Sequence, residues 1–396
     1  MNLLIVFTLI SVWELCKLGT LAEIVRGASP RPIQDSKWFD NTSDVGWLRI
    51  SDVTEQNGRI YKLEQKLSKA GQEKTRVLRK PHLLLSIAAT VGKPVVNYVN
   101  TGVHDGFLIF LNPLFDREFM FQWLEMFTPK WQKYGQPGSQ LNLNSELVRN
   151  QELRMPSTNE QEKIGMLFQY LDDTITLHQR KFDQLKKLKK AYLQAMFVSM
   201  NTKNNKVPKL RFTDFEGDWE LCKLGEVFDF KQGVQVPVEE QFTTLEEGMQ
   251  RFIRIVDLTT DEEPPRYIKY DSDNLVSESD LFMVRYGAVG VIGLGYEGVI
   301  ANNLFKLIPR IVVDEKFSYH QLIKNKDKII SLSSSTTMPA LSFKTLKNLS
   351  FSVPSVGEQK QIGSFFANLD NLITLHQNKL EQLNELKKSY LQNMFI

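Results

Sequence analysis

The chain has 396 residues, a formal net charge of +3 and only two cysteines, Cys16 and Cys222. At roughly 150 residues per domain, this length predicts two or three domains. Two cysteines exclude a disulfide framework and are typical of a reducing compartment. Because the net charge is small, any surface that is basic enough to bind nucleic acid must be local.

The first element in chain order is a short apolar run at residues 3–12. No basic segment precedes this run, and Trp13-Glu14-Leu15 stands where a signal peptide has small residues for cleavage. The run is also shorter than the ~20 apolar residues of a transmembrane helix. We therefore expect neither an export signal nor a membrane anchor, and we expect a cytoplasmic protein.

A single unit of sequence occurs twice in the chain. The heptapeptide WELCKLG at 13–19 returns unchanged at 219–225, and RISD at 49–52 returns as RIVD at 254–257. Further along, EQEKIG at 160–165 matches EQKQIG at 358–363. The copies are 206 residues apart at the first motif, 205 at the second and 198 from Gly92 onward. This repeat predicts two copies of one fold, each with a body and a tail.

Each unit opens with a body of mixed composition. In the first copy, β-like runs at 46–53, 83–88, 94–99 and 106–111 are separated by glycine, proline and asparagine turns. An amphipathic helix at 116–127 follows them. This order predicts an α+β body rather than an alternating βαβ chain.

Each unit closes with a tail that has the pattern of a long helix. The tails follow Pro156 and Pro354 and begin with the capping-box pattern S-x-x-E at 157–160 and 355–358. Apolar residues then recur at alternating spacings of four and three, which is the 3.5-residue period of a coiled-coil seam. The predicted seam positions are Ile164, Phe168, Leu171, Ile175, His178, Phe182 and Leu185 in the first tail, and Ile362, Phe366, Leu369, Ile373, His376, Leu380 and Leu383 in the second.

Two matching seams in one chain most simply predict that the helices pair with each other as an antiparallel coiled coil. The alternative is that each helix packs only on its own body. We expect His178 and His376 to set the register, because a lone polar seam residue is more often a register device than a metal ligand. The predicted α+β chain thus has two tandem repeats: a first body at 1–155, a first helix at 156–198, a linker at 199–209, a second body at 210–353 and a second helix at 354–396.

Two short motifs have the outline of an active site. GLGYEG at 293–298 fits a dinucleotide-binding loop, but a strand-like stretch follows it instead of a helix. Asn112-Pro113-Leu114-Phe115 resembles the N-P-P-[FY] loop of DNA amino-methyltransferases, yet no glycine-rich cofactor strand precedes it. The sequence shows no zinc spacing, phosphate loop or nucleophile elbow. It predicts a binding protein with no catalytic residues, no metal site and no cofactor of its own.

The order of the motifs resembles one known family. W-x-x-x-x-L-G near the start of a body, GASPR at 27–31, WLRISD at 47–52, a turn at Gly92 and P-x-x-x-E-Q-x-x-I at 156–164 are together similar to the specificity subunit of type I restriction–modification enzymes. Most of these motifs return in the second half, so the resemblance covers nearly the whole chain. Two segments depart from it: QGVQV at 232–236 replaces GASPR, and residues 1–12 fit no part of the pattern.

The resemblance implies a function and a set of partners. Each body would be a target-recognition domain that reads one half of a bipartite, asymmetric site in double-stranded DNA, and the helices would be a ruler for the unread gap. Two methyltransferase subunits would dock on this chain, and two translocating restriction subunits would complete the enzyme. S-adenosylmethionine, ATP and Mg²⁺ would belong to those partners.

Candidate DNA-binding residues follow from the chemistry of base edges. Arginine, lysine, asparagine and glutamine read bases, whereas phosphate contacts only position the protein. Arg49 and Arg254 lie in a motif that both bodies share, so they should be structural or phosphate-binding if the bodies read different sequences. The candidates are Arg31, Lys37, Arg49, Lys93 and His104 in the first body, and Lys231, Gln232, Gln235, Arg254, Arg285, Tyr286 and Asn302 in the second.

Two other functions fit parts of the sequence. A coiled-coil adaptor whose bodies bind proteins would have the same tails and repeat, but it would show no salt-dependent binding to duplex DNA. A single-chain methyltransferase that used the loop at 112–115 would transfer methyl groups without any partner.

Overall fold

The computed structural model describes residues 13–88, 90–134, 143–198, 206–260, 262–333 and 339–395. The apolar run at 3–12, Ala89 and most of the predicted linker lie outside these ranges. The chain forms two compact units, one of Met1–His178 with Lys379–Ile396 and the other of Gln179–Asn378. Each unit therefore contains one body, the beginning of the long helix that follows this body, and the end of the other long helix.

The first unit mixes short strands with helices. Its strands are β1 (Glu14–Lys17), β2 (Glu23–Arg26), β3 (Gly46–Leu48), β4 (Arg59–Ile60), β5 (Arg76–Leu78), β6 (Leu83–Ser86), β7 (Pro94–Asn97), β8 (Thr101–Val103), β9 (Phe107–Leu111) and β10 (Glu152–Met155). Its helices are α1 (Leu18–Leu21), α2 (Ile50–Glu55), α3 (Lys69–Glu73), α4 (Arg117–Trp131), α5 (Ser145–Asn150) and the start of α6 (Thr158–Ala195).

A five-stranded sheet in the order β2-β9-β6-β7-β4 organises the first unit. Its inner strands are mostly apolar because both faces are covered: Leu83 and Leu108 belong to one core, and Leu84 belongs to another. Beside it lies a three-stranded sheet in the order β3-β8-β5. Strands β3 and β8 are parallel, with Leu48 opposite Val103, so the loops that leave these two strands start side by side.

The second unit repeats this plan. Its strands are β11 (Glu220–Lys223), β12 (Phe228–Gln232), β13 (Met249–Ile253), β14 (Arg266–Lys269), β15 (Leu281–Val284), β16 (Ile292–Gly293), β17 (Val299–Ile300), β18 (Leu304–Pro309) and β19 (Ser350–Val353). Its helices are α7 (Leu224–Val227), α8 (Val256–Thr259), α9 (Glu315–Lys324), α10 (Lys326–Ser331), α11 (Phe343–Lys347) and the start of α12 (Val356–Met394). The sheets have the orders β12-β18-β15-β16 and β14-β13-β17, and β13 is parallel to β17.

Strand register refines the alignment of the two copies. The parallel pair places Ile300, and not Ala301, where the first copy has Val103, so the copies are 197 residues apart here. The spacing returns to 198 at Asp116 and Asp314, whose carboxylates each accept a hydrogen bond in the first turn of the next helix. The expectation of a constant spacing of 198 from Gly92 onward is therefore wrong, because the stretch from Gly290 to β17 is one residue shorter than the corresponding stretch from Gly92 to β8.

The tryptophan of the repeated heptapeptide contacts the first turn of each long helix. Trp13 Nε1 donates to Glu160 at 3.3 Å, and Trp219 Nε1 donates to Glu358 at 3.2 Å. The buried Glu358 also accepts hydrogen bonds from Arg211 at 2.8 and 2.7 Å. These contacts explain why the heptapeptide and the glutamate recur together although about 140 residues separate them.

The predicted seam positions lie on the inward faces of α6 and α12. Phe168 is buried in a core with Phe395, and Phe366 is buried in a core with Phe197. The buried positions are Ile164, Phe168, Leu171, Ile362, Phe366, Leu369, Leu380 and Leu383, and the half-buried ones are Ile175, His178, Phe182, Leu185, Ile373 and His376. Within the described ranges, no helix has both the length and the apolar composition of a membrane span.

Inside each unit, the two long helices contact each other in opposite chain directions. In the first unit, Phe168 stacks on Phe395 with ring centroids 5.9 Å apart. Further along α6, Asp172 accepts from Lys387, which comes before Phe395 on α12. The same reversal holds in the second unit for the contacts of Lys189 with Asp370 and of Phe197 with Phe366.

Candidate nucleic-acid interface

The loop that follows β2 packs against the turn between β8 and β9. Gly27 N–H donates to Phe107 O at 2.9 Å, and Ala28 N–H donates to Val103 O at 3.0 Å. A Cβ on Gly27 would lie 2.1 Å from the carbonyl oxygen of His104, so only glycine permits this approach. The loop and the turn together are called the first reading turn below (residues 26–31 and 103–107).

Asp105 is the centre of the first reading turn. Its carboxylate accepts from Ser29 Oγ at 2.8 Å and from Arg31 Nη2 at 2.7 Å. Its carbonyl oxygen accepts from Arg26 Nε at 2.6 Å. Burial alone would raise the pKa of Asp105, but the hydrogen bond from Ser29 and the neighbouring basic side chains, Arg31 among them, hold it below its ordinary value. Asp105 is therefore ionised at neutral pH and holds Nη2 of the exposed Arg31 guanidinium.

The second body has the same backbone arrangement. Gly233 N–H donates to Leu304 O at 3.0 Å, and Val234 N–H donates to Ile300 O at 2.9 Å. A Cβ on Gly233 would lie 2.2 Å from the carbonyl oxygen of Ile300. Gly233 thus takes the place of Gly27, and residues 232–237 with 300–304 form the second reading turn.

Different side chains occupy the second reading turn. Where Ser29 meets Asp105, Asn302 Nδ2 donates to Gln235 Oε1 at 3.3 Å. Where Arg26 donates to the carbonyl of residue 105, the Gln232 amide donates to Asn302 O. The register also places Ala301 where the first body has His104. The two turns therefore share a backbone and differ in nearly every polar group.

Arg285 supports the second reading turn from inside. Its Nη1 donates to Gln232 Oε1 at 2.6 Å, and its Nε donates to Leu341 O at 3.0 Å. Its guanidinium also lies over the rings of Phe343 and Tyr286, at 4.1 and 4.9 Å from their centroids. Arg285 and Tyr286 therefore lie beside the turn, and the guanidinium of Arg285 is bound by Gln232, by Leu341 O and by the two aromatic rings.

The arginines of the shared motif are engaged at helix starts. The backbone N–H of Arg49 donates to Asp52 Oδ2 at 2.8 Å, and its Nη2 lies 3.1 Å from Asp52 Oδ1. Arg254 makes the same contacts with Asp257, at 2.7 and 3.4 Å, and also pairs with Glu263 at 2.9 Å. A helix-capping pair of this kind explains why both bodies carry the motif without any reference to base reading.

His104 borders a cavity of about 250 Å³ that also touches Trp47, Arg49 and Gln65. Its Nδ1 accepts from Gly106 N–H at 2.8 Å, so the proton of the neutral ring is on Nε2. Burial lowers the pKa of His104, which favours this neutral form. His104 therefore offers one hydrogen-bond donor beside the first reading turn.

The remaining candidates are three lysines outside the two turns, of which Lys231 immediately precedes Gln232 of the second turn. Lys37 pairs with Asp35 at 2.8 Å and lies over the Trp38 ring, both in its own loop. Lys93 is exposed in the connection between β6 and β7, and Lys231 is exposed on β12. The structure thus brings together Arg31 and His104 in the first body, and Gln232, Gln235, Arg285 and Asn302 in the second.

Sequence reasoning missed Ser29 and Asp105. No spacing rule marks them, because they are 76 residues apart and meet only through the packing of a loop on a turn. The one usable signal was the replacement of GASPR by QGVQV between the two copies, which marks a position where the bodies differ.

Both halves of the chain are similar in sequence to known proteins. A family model for the type I restriction modification DNA specificity domain matches it twice, at residues 10–187 and 216–385. The putative type I restriction enzyme MjaX specificity subunit of Methanocaldococcus jannaschii is 22% identical over 260 residues, 63% of this chain and 60% of that protein. The type I restriction enzyme EcoBI specificity subunit of Escherichia coli is 22% identical over 283 residues, 64% of this chain and 60% of that protein. These matches span about three fifths of the length of the relatives.

Solved structures show the same fold. The S subunit of a type I restriction–modification system from M. genitalium superimposes over 98% of both chains with a TM-score of 0.68 at 15% identity. A structure described as the basis of complex assembly and conformational transition of the type I R-M system covers 98% of both chains with a TM-score of 0.52 at 17% identity. The class that this fold defines is a tandem pair of α+β bodies, each followed by a long helix. The family resemblance is confirmed, and the chain belongs to the family of type I restriction modification DNA specificity domains.

Proposed function

We propose that this chain is the specificity subunit of a type I restriction–modification enzyme, in which each body reads one half of a bipartite, asymmetric DNA site. One observation carries the proposal. The two bodies hold their reading turns with the same backbone hydrogen bonds but present Ser29, Arg31 and Asp105 in one and Gln235 and Asn302 in the other. A shared scaffold with different polar edges is what two readers of different sequences require.

The two long helices form an antiparallel coiled coil that sets the separation of the half-sites. The opposite-direction contacts of α6 and α12 within each unit support this arrangement, as do the buried seam positions. Both helices are unbroken, with 38 residues in α6 and 39 in α12. A helix rises ~1.5 Å per residue, so each runs for roughly 55–60 Å and can serve as a ruler.

Catalysis belongs to partners in this proposal. Two methyltransferase subunits bind S-adenosylmethionine and methylate adenine, and two restriction subunits use ATP and Mg²⁺ to translocate and cut DNA. The chain itself contributes sequence recognition and a docking surface, and it has no catalytic residue, metal or cofactor of its own.

The test is reconstitution of the purified chain with its methyltransferase subunits. We expect duplex binding whose affinity falls steeply with salt, since each neutralised phosphate releases counterions. We also expect methylation of a bipartite site by the complex and none by the chain alone. An absence of salt-dependent binding to duplex DNA would indicate a protein-binding adaptor. Methyl transfer by the stringently purified chain alone would indicate an enzyme.

A further inference from the structure

We infer that the two reading turns select the base that each body reads at one position: guanine through Arg31 in the first half-site, and adenine through Asn302 with Gln235 in the second. The inference rests on the proposed function and adds to it the residues and the bases. Its foundation is the structural equivalence of the two turns, which places Asp105 and Asn302 at one backbone position.

Arg31 has the geometry of a guanine reader. The Arg31 side chain is 77% exposed, and Asp105 accepts from its Nη2 at 2.7 Å. Ser29 in turn holds the other carboxylate oxygen of Asp105. The one hydrogen bond from Nη2 leaves the other N–H groups of the guanidinium for a ligand, because among the described residues they have no other hydrogen-bond partner. Guanine offers two acceptors, O6 and N7, to such a fork in the major groove.

The amide pair of the second turn has a different chemistry. Both Asn302 and Gln235 are exposed, and the one hydrogen bond between them uses a single N–H and a single oxygen. The pair therefore keeps amide N–H groups and the Asn302 oxygen for a ligand. Adenine presents an acceptor at N7 beside a donor at N6, and asparagine and glutamine are its usual bidentate partners.

Phosphate binding is a poorer explanation for both turns. A phosphate contact needs a cation or backbone N–H groups and carries no sequence information. Asn302 and Gln235 are uncharged, and the neighbouring Arg285 is occupied by Gln232, Leu341 O and two aromatic rings. In the first turn, a carboxylate beside the guanidinium would repel phosphate.

The experiment uses the full chain in complex with its methyltransferase subunits. The recognised site of the parental complex is first read by sequencing methylated DNA, and binding is then measured for half-site libraries at fixed salt. The variants are Arg31→Gln and Asn302→Asp, with Lys62→Gln as a control that removes an exposed cation from the first body outside the turn. Arg31→Lys and Asn302→Gln are second variants in case either first variant melts earlier than the parent.

Arg31→Gln should reduce discrimination about ten- to hundredfold at one guanine of the half-site read by the first body and leave the other half unchanged. Asn302→Asp should do the same at one adenine of the other half and favour cytosine there, because a carboxylate accepts from cytosine N4. Lys62→Gln should leave every base preference as it was.

Three outcomes would overturn the inference. Base preferences could stay unchanged in both variants, affinity could fall equally on all sequences, or the affected position could hold a different base in the parental site. Failure of the proposed function would show itself earlier and separately, as a parental complex that binds and methylates no specific sequence.

Discussion

Lys387, close to the end of α12, places its ammonium 2.7 Å from the carboxylate of Asp172 on α6. It also lies 2.8 Å from the Glu125 carboxylate on α4, so one lysine ties the end of the second helix to the first body. Burial alone would lower the pKa of Lys387, but Glu125 and Asp172 raise it above its ordinary value. The second unit has the matching pair Lys189 and Asp370.

Replacing Lys387 with methionine should therefore destabilise the first unit. The Lys387 side chain is only 14% exposed, and its loss leaves two carboxylates with fewer partners. Asp172 keeps its contact with Arg59 at 3.1 Å, which limits the expected loss to about 2 kcal/mol. Urea unfolding measures this loss. The exposed neighbour Lys388, changed to methionine, is the control and should alter stability by less than about 0.5 kcal/mol. Equal effects of the two variants would refute the role assigned to Lys387.

Acid should weaken the second unit through Asp370. Burial alone would raise the pKa of Asp370, but hydrogen bonds from His320 and Lys189 hold it below its ordinary value. A depressed carboxyl pKa contributes stability above the unfolded pKa of ~3.9, and this contribution is lost as the pH falls through the folded pKa. Asp370→Asn should therefore lower stability at pH 7 and remove part of the acid dependence below pH ~4.

Thermal melting of the full chain at pH values from 7 to 3 measures this dependence. The exposed Asp271, changed to asparagine, is the matched control and should leave the pH profile as it is. If Asp370→Asn melts in parallel with the parent at every pH, the carboxylate is not the group that couples stability to pH.

Two glycines of α12 should respond in opposite ways to alanine. A Cβ on Gly363 would lie 2.3 Å from Asp314 Oδ1 and 2.8 Å from Phe317 N, so it would displace the cap of α9. A Cβ on Gly357 would meet only Phe215, at an ordinary 3.6 Å. We expect Gly363→Ala to cost about 1–3 kcal/mol and Gly357→Ala to be neutral or to stabilise by up to about 1 kcal/mol. Denaturant unfolding distinguishes the two, and a stabilising Gly363→Ala would contradict the close packing of α9 on α12.

Lengthening both long helices should lengthen the unread gap. Four residues inserted after Gln179 in α6 and after Gln377 in α12 add ~6 Å, about one turn, and nearly preserve the seam. B-DNA advances ~34 Å per ~10 base pairs, so the gap should grow by one or two base pairs while both half-sites stay the same.

Two-residue insertions at the same points serve as the control. They rotate the following seam by ~200° and should be tolerated poorly, because Phe182 and Leu185 would then face solvent. Sequencing of methylated DNA reports the site of each variant. A four-residue variant that is fully active on the original gap would show that the helices do not set the spacing.

The sequence by itself determined the repeat, the two long helices and the family. The seam positions recur at a local period, and a helix brings residues three and four apart onto one face whatever surrounds it. Ile164, Phe168 and Leu171 are therefore buried where the pattern expects burial. The motifs of each copy also predicted membership of the family, because they are contiguous stretches that need no structure to be compared.

Only the tertiary structure decided which polar side chains meet. Ser29 reaches Asp105 and Gln235 reaches Asn302 because a loop packs on a turn that is far away in the chain, and Gly27 and Gly233 permit that approach. Position 105 lacked any local signal, since an aspartate in a turn is ordinary until its partners are known. The sequence revealed the repeat and the helices because contiguous motifs and a local period are visible without a fold, whereas the meeting of Ser29 with Asp105 and of Gln235 with Asn302 depends on long-range contacts that only the packed chain creates.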